Sequence, residues 1–149
     1  MPEMAAKVEL REITQDSLRG VLDLAVEPGQ EAYVATTARS IAEAHFEPRS
    51  WFRAVYADDE PVGFVMAYRN PPDAFWVWRF MIDAGHQGKG YGHRALELLV
   101  DEARQDGVAE VKLSYHPDEH SPHAFYTRFG FVETGEVDEE EVVMRLPLG

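Results

Sequence analysis

The sequence predicts an α/β fold of the α+β kind: a mixed, mainly antiparallel sheet of about six to seven strands flanked by about four helices, in one domain over residues 1–149. Three observations carry this. The apolar pattern switches repeatedly between a strand period of about two and a helix period of about 3.6. A length of 149 residues suits a single hydrophobic core. A glycine-rich stretch, Gln87-Gly88-Lys89-Gly90-Tyr91-Gly92, falls where a strand-like run hands over to a helix-like one.

Taken in order, Val8-Glu9-Leu10-Arg11-Glu12-Ile13 alternates apolar and polar residues, as a half-buried strand does. Thr14 or Asp16 is placed to cap a helix whose Leu18, Val21, Leu22 and Ala25 share a face, and Pro28-Gly29 breaks it. A second helical segment runs from Gln30 to Phe46 and stops before Pro48. Residues 51–56 and 62–68 read as strands of a hairpin around an acidic turn, and 75–82 as a third strand after Asn70-Pro71-Pro72-Asp73. Beyond the glycines, Ala95, Leu98, Leu99 and Ala103 form a helical stripe ended by Gly107. A strand over 108–115 follows, then a short helix with Ser121 at its cap and Pro122 in its first turn. Residues 132–134 and 141–146 make a last hairpin.

Composition narrows the function classes. The net charge of −13 argues against nucleic-acid binding, which needs a basic footprint. No apolar run is long enough to span a bilayer and the start lacks signal-peptide features, so no membrane role and a cytoplasmic location are expected. The chain has no cysteine, which excludes disulfides, thiolate metal sites and a thiol nucleophile.

Glycines at 88, 90 and 92 let the backbone take unusual dihedrals and let a ligand come close. Beside the unpaired amides of a helix start they make an anion site. A Walker A loop does not fit, because no hydroxyl residue follows Lys89; a dinucleotide-type GxGxxG is absent too. Six residues alone also allow a glycine-rich helix start that binds nothing. The pattern Gln87-x-x-Gly90-x-Gly92, however, resembles the pyrophosphate loop of the GNAT superfamily of N-acetyltransferases, which use acetyl-CoA. Phe125-Tyr126-Thr127-Arg128-Phe129-Gly130-Phe131 resembles a late aromatic motif of the same superfamily, and the element order agrees over nearly the whole chain. Within it, the stretch from Leu22 to Ala44, the run 78–83 and the tail 131–136 are similar to the bacterial diamine and polyamine (spermidine/spermine) acetyltransferases.

The resemblance implies roles. Backbone amides of Gln87, Gly88, Lys89, Gly90 and Gly92 would hold the pyrophosphate of acetyl-CoA, with Lys89 adding charge. Backbone groups of Phe80 and Ile82 would pair with the pantetheine arm. Glu119 stands where many relatives have asparagine; as a carboxylate it accepts a pantetheine hydrogen bond but donates none. Tyr126 would be the general acid on the departing thiolate. Glu31 and Glu43, on the helix bordering the acceptor groove, would hold ammonium groups of a small-molecule amine. Trp78 and Arg79 stand where animal polyamine acetyltransferases carry carboxylates, so the base is open: His116 or a carboxylate relay through water. A homodimer is expected by resemblance only.

The chemistry fits those groups. An alkylammonium near pKa ~10.4 must lose a proton before it attacks, and a thiolate leaving group near ~8.5 is helped by a proton donor. His116, Asp118, Glu119, His120 and His123 lie within eight residues, but no second ligand set or HExxH accompanies them, so no metal is expected. The expected activity is acetyl transfer to a primary amine, a polyamine or diamine. Acetylation of an antibiotic, amino acid or protein amine, and an acyl-CoA sensor without turnover, remain the alternatives.

Overall fold

The computed structural model describes residues 6–25, 37–70, 73–117 and 121–148. Its elements run β1 (Val8–Arg11), α1 (Leu18–Leu22), α2 (Thr37–His45), β2 (Ser50–Ala57), β3 (Glu60–Asn70), β4 (Ala74–Ile82), α3 (Tyr91–Gln105), β5 (Glu110–Tyr115), α4 (His123–Phe129), β6 (Val132–Asp138) and β7 (Glu141–Pro147), with a 3-10 turn at Ala84–His86. The strands form one seven-stranded sheet in the order β1-β2-β3-β4-β5-β7-β6. Every pairing is antiparallel except β4 with β5. That exception follows from the connection, since α3 crosses over between those two strands.

Each face of the sheet is covered by helices. On one face α3 buries Ala95, Leu96, Leu99, Val100 and Ala103 against Val65, Ala67, Phe75, Val111, Leu113 and Met144. Tyr126 of α4 and Phe131 close the end of this cluster. On the other face Val21 of α1 and Ala44 of α2 pack on Ala54, Tyr56, Phe64, Met66 and Met81. Full burial of a side chain such as Leu96 or Phe64 stabilises the fold by roughly 1.5–3 kcal/mol, so these layers set the positions of everything at the sheet's edges.

Local details differ from the sequence expectation. Helix α1 is short, and Asp16 does not cap it. Thr14 serves the turn that leads into it: the Thr14 hydroxyl accepts the Ser17 amide at 3.3 Å and the Ser17 hydroxyl accepts the Thr14 amide at 2.9 Å, while Ser17 at the N-cap position makes no side-chain cap bond. Helix α4 begins at His123 with Pro122 at the cap position and no side-chain cap, so Ser121 does not play that part. Strand β6 reaches Asp138, beyond the expected 132–134; it is an edge strand and nearly all of it is solvent-exposed, so no apolar pattern marks its far end. The first half of the second predicted helix lies outside the described residues.

One irregularity positions the site. In β3·β4 the register passes from Met66↔Arg79 to Ala67↔Val77, leaving Trp78 as an unpaired bulge residue. A bulge shifts side-chain alternation by one. Phe80 and Ile82 therefore pack on the same cluster as Phe75 and Val77, while Met81 joins the opposite one. Strands β4 and β5 pair only from Ala74↔Glu110 to Val77↔Leu113. Past the bulge they part: β4 continues with β3, and Ser114 and Tyr115 of β5 continue with β7.

Candidate active site

The parting of β4 and β5 opens the sheet, and the main cavity lies there. Its volume is about 1300 Å³, above the roughly 300–1,000 Å³ of a pocket for one drug-sized ligand. It has room for two substrates. Its lining draws on both faces: Gln87, Gly88, Gly90, Gly92 and Tyr126 from the α3–α4 side, and Arg39, Tyr68 and Trp76 from the other.

The exposed edge of β4 is the first functional feature. The Asp83 amide donates to the Val62 carbonyl at 2.7 Å and so points towards β3. Strand alternation then turns the backbone groups of Phe80 and Ile82 the other way, onto the open edge. Among the described residues no strand pairs with that edge past Val77. The Ile82 carbonyl is partly used, because the Gln87 side-chain amide donates to it at 2.9 Å. Phe80 thus offers both backbone groups, and Ile82 offers its N–H.

The glycine loop is the second. Gly88 and Gly90 have φ of +78° and +84°, the left-handed region that side chains with a Cβ avoid. A Cβ at either would meet nothing within 4 Å, so the surface above them is open to a ligand. Gly90 is the N-cap of the 15-residue α3, and its carbonyl accepts the first helical bond from Arg94 at 3.2 Å. The free amides and the partial positive charge of this helix end face outward. Gly92, the second residue of α3, faces Phe125 and Ile82. Lys89 is exposed on the loop and does not line the cavity.

Asp83 anchors this loop. Its carboxylate accepts the Ala25 amide at 3.0 Å, the Gly85 amide at 3.2 Å and the His86 ring at 3.0 Å. Partial burial pushes its pKa up, but these hydrogen bonds outweigh burial and hold the carboxyl below its usual range.

Tyr126 is the third feature. It is 7% exposed, packed on Phe125 and Phe131 with ring centroids at 5.4 and 5.6 Å, and lines the cavity. Burial pushes its phenol pKa well above the ordinary value, so near neutrality it is an O–H donor and never a base.

The acceptor side departs from expectation at Glu43. Its carboxylate pairs with Arg39 at 2.9 Å and Arg79 at 3.4 Å, and the residue does not line the cavity. Glu31 and Glu119 lie outside the described residues. His116 lines the cavity. So do Arg39, Ser114 and Glu141, which sequence reasoning had not placed there, and Arg79, which the resemblance had put where animal relatives carry carboxylates. Ser114 and Glu141 are joined by a 3.4 Å hydrogen bond. Strand alternation carried the signal for Ser114, since it must face away from Leu113 and Tyr115. Among the described residues no group of three or more His, Asp or Glu side chains is placed to hold a metal ion.

A seven-stranded sheet opened beside a glycine-capped helix, with a buried tyrosine at the opening, is the architecture of a known class. The chain belongs to the acetyltransferase (GNAT) family, whose description matches residues 9–131, and it is an N-acetyltransferase of that family. It is 28% identical over 143 residues to the spermine/spermidine N(1)-acetyltransferase of Bacillus subtilis, covering 88% of this chain and 91% of that one. It is also 28% identical over 87 residues to the L-2,4-diaminobutyric acid acetyltransferase of Streptomyces avermitilis, covering 56% and 49% of the two chains. The PaiA N-acetyltransferase of Thermoplasma acidophilum, solved with coenzyme A, shares the fold with a TM-score of 0.73 at 16% identity over 95% of this chain and 99% of that one. No helix among the described residues is long and apolar enough to cross a membrane.

Proposed function

We propose that this chain transfers the acetyl group of acetyl-CoA to a primary amine of a small molecule carrying more than one amine, a diamine or polyamine, by direct attack in a ternary complex. The carrying observation is the unpaired edge of β4 between the glycine loop and Tyr126, a fit for a phosphorylated, amide-bearing arm ending at the tyrosine. The names of the two curated relatives support the acceptor class, since spermine, spermidine and diaminobutyric acid all carry at least two amines.

In this reading the amides of Gln87 to Gly92 bind the pyrophosphate, with Lys89 adding charge at longer range. The open backbone groups of Phe80 and Ile82 pair with the pantetheine as an added strand would. The free amine attacks the thioester carbon, and the C–N bond forms. The tetrahedral intermediate collapses with loss of the C–S bond, and the electron pair leaves on sulfur. Tyr126 gives its proton to that sulfur and recovers one from solvent. The ammonium's protons pass to water, with His116, which lines the cavity, as the imidazole candidate for the base. No covalent enzyme intermediate is needed, in keeping with a chain without cysteine.

Initial rates with both substrates varied test this. Direct attack gives intersecting reciprocal plots and no release of coenzyme A before amine is added; parallel lines with a burst would instead require an acetyl-enzyme.

A further inference from the structure

We propose that the acceptor is a diamine that also carries a carboxylate, a diamino acid, and that Arg79 holds the carboxylate. This rests on the acetyl-transfer reading above and narrows its acceptor. Among the described residues on this side, Glu43 does not line the cavity and spends its carboxylate on two ion pairs, whereas both arginine partners, Arg39 and Arg79, do line it. One carboxylate against two guanidiniums leaves these groups net positive, so a molecule bearing only ammonium groups would meet like charge here. An acceptor with an anionic group would meet a complement.

Arg79 has capacity for it. A guanidinium carries five N–H donors in a planar fork that matches a carboxylate. Here Nη1 donates to the Trp78 carbonyl at 2.8 Å, and Nη2 makes the longer of Glu43's two ion pairs, 3.4 Å against 2.9 Å to Arg39. Its Nε is buried with no hydrogen-bond partner among the described residues. An orphaned buried donor is costly, and a carboxylate bridging Nε and Nη2 would satisfy it. Because Nε is shielded, the side chain must reorient for this, which its long pair with Glu43 permits. The bulge at Trp78 fixes the direction, placing Arg79 on the α1–α2 face directly before Phe80 and the open edge of β4.

The cationic end has a separate place. Across β5, Glu141 opens β7 on that same face, is held by Ser114 and lines the cavity. Trp76 and Tyr68 also line the cavity on the Arg79 side, but each ring already carries a cation of the protein, Lys112 at 5.4 Å and Arg49 at 4.3 Å, so the ammonium is left to Glu141 and the neighbouring lining acids Asp138 and Glu139. Positive and acidic groups on the two strands flanking β5 thus fit an acceptor with charges of both signs.

Three matched pairs test the proposal, each differing only by a carboxylate: ornithine and putrescine, lysine and cadaverine, 2,4-diaminobutyrate and 1,3-diaminopropane. Coenzyme A release should show kcat/KM at least about tenfold higher for the diamino acids, the effect of about 1.4 kcal/mol of binding. In Arg79→Gln that ratio should fall to near one, mainly through a rise in KM for the diamino acid. Arg79→Lys, which keeps the charge without the fork, should restore part of it. Wild-type preference for putrescine, spermidine or cadaverine overturns this proposal alone, and so does a ratio that Arg79→Gln leaves intact. If that variant fails to fold, the wild-type ratios decide. No coenzyme A release with any amine would overturn the acetyl-transfer reading along with it.

Discussion

In the proposed reaction two residues bear the chemistry most directly, and both act through burial or backbone geometry. Tyr126 keeps its proton because its surroundings are apolar, so it meets the sulfur as an O–H; burial makes it a weaker acid than a free phenol, and the proton moves as charge builds on sulfur while the C–S bond breaks. Tyr126→Phe removes one oxygen without opening a cavity. It should lower kcat by about 10²-fold or more, within the usual range for general acid catalysis, while acetyl-CoA affinity measured by calorimetry is retained. An unchanged kcat would remove the tyrosine from the mechanism. Gly90 acts through its φ of +84°. Gly90→Ala would strain the cap by roughly 1–2 kcal/mol and crowd the anion site, so KM for acetyl-CoA should rise well before kcat falls. Asp83 is the third point of leverage. Its carboxyl pKa is depressed in the folded chain, so its contribution is fully present above the unfolded value of ~3.9 and is lost as pH falls through the lower folded value. Asp83→Asn should destabilise the protein at neutral pH by about 1–3 kcal/mol, with the gap to wild type closing as denaturation is followed down into that acid range.

At the scale of elements, the bulge in β4 decides what the site contains. The order of strands and helices was legible from local pattern: alternation over 8–13, glycines at 88, 90 and 92, and a helical stripe read as Ala95, Leu98, Leu99 and Ala103, of which Leu98 is only half-buried while Leu96 and Val100 join the core. The pyrophosphate-type loop was legible for the same reason, being six consecutive residues. The bulge was not, because the extra residue at Trp78 exists only relative to β3 and leaves no mark in the β4 sequence alone. Its consequences were hidden with it. Arg79 lands beside Glu43, so an acid read as an ammonium ligand is tied up by arginines. Gln87, read through its amide, also uses its side chain to hold the Ile82 carbonyl. Helix α4's lack of a side-chain cap was equally invisible, since Ser121-Pro122 is a sound capping signal that the chain does not use.

For the molecule as a whole, charge and catalysis pull in opposite directions. A net charge of −13 repels acetyl-CoA at long range and attracts cationic amines. Raising ionic strength from about 0.01 to 0.1 M shortens the screening length from about 30 to about 10 Å. kcat/KM for acetyl-CoA should therefore rise with salt while that for a dicationic amine such as putrescine falls; parallel responses would mean that only local groups matter. The sheet joins these scales. Helices on its two faces fix β4 and β5, their parting creates the cavity, and in the proposed reading the cavity lets a cofactor from the α3 side meet an amine from the other. The central claim is that acetyl transfer occurs at this opening. The most direct measurement is release of free coenzyme A from acetyl-CoA against a panel of amines: spermidine, spermine, putrescine, diamino acids, an aminoglycoside and a lysine peptide. The account predicts amine-dependent release with acetyl found on a primary amine of a molecule carrying at least two. Tight binding of acetyl-CoA with no release on any member of the panel would contradict it.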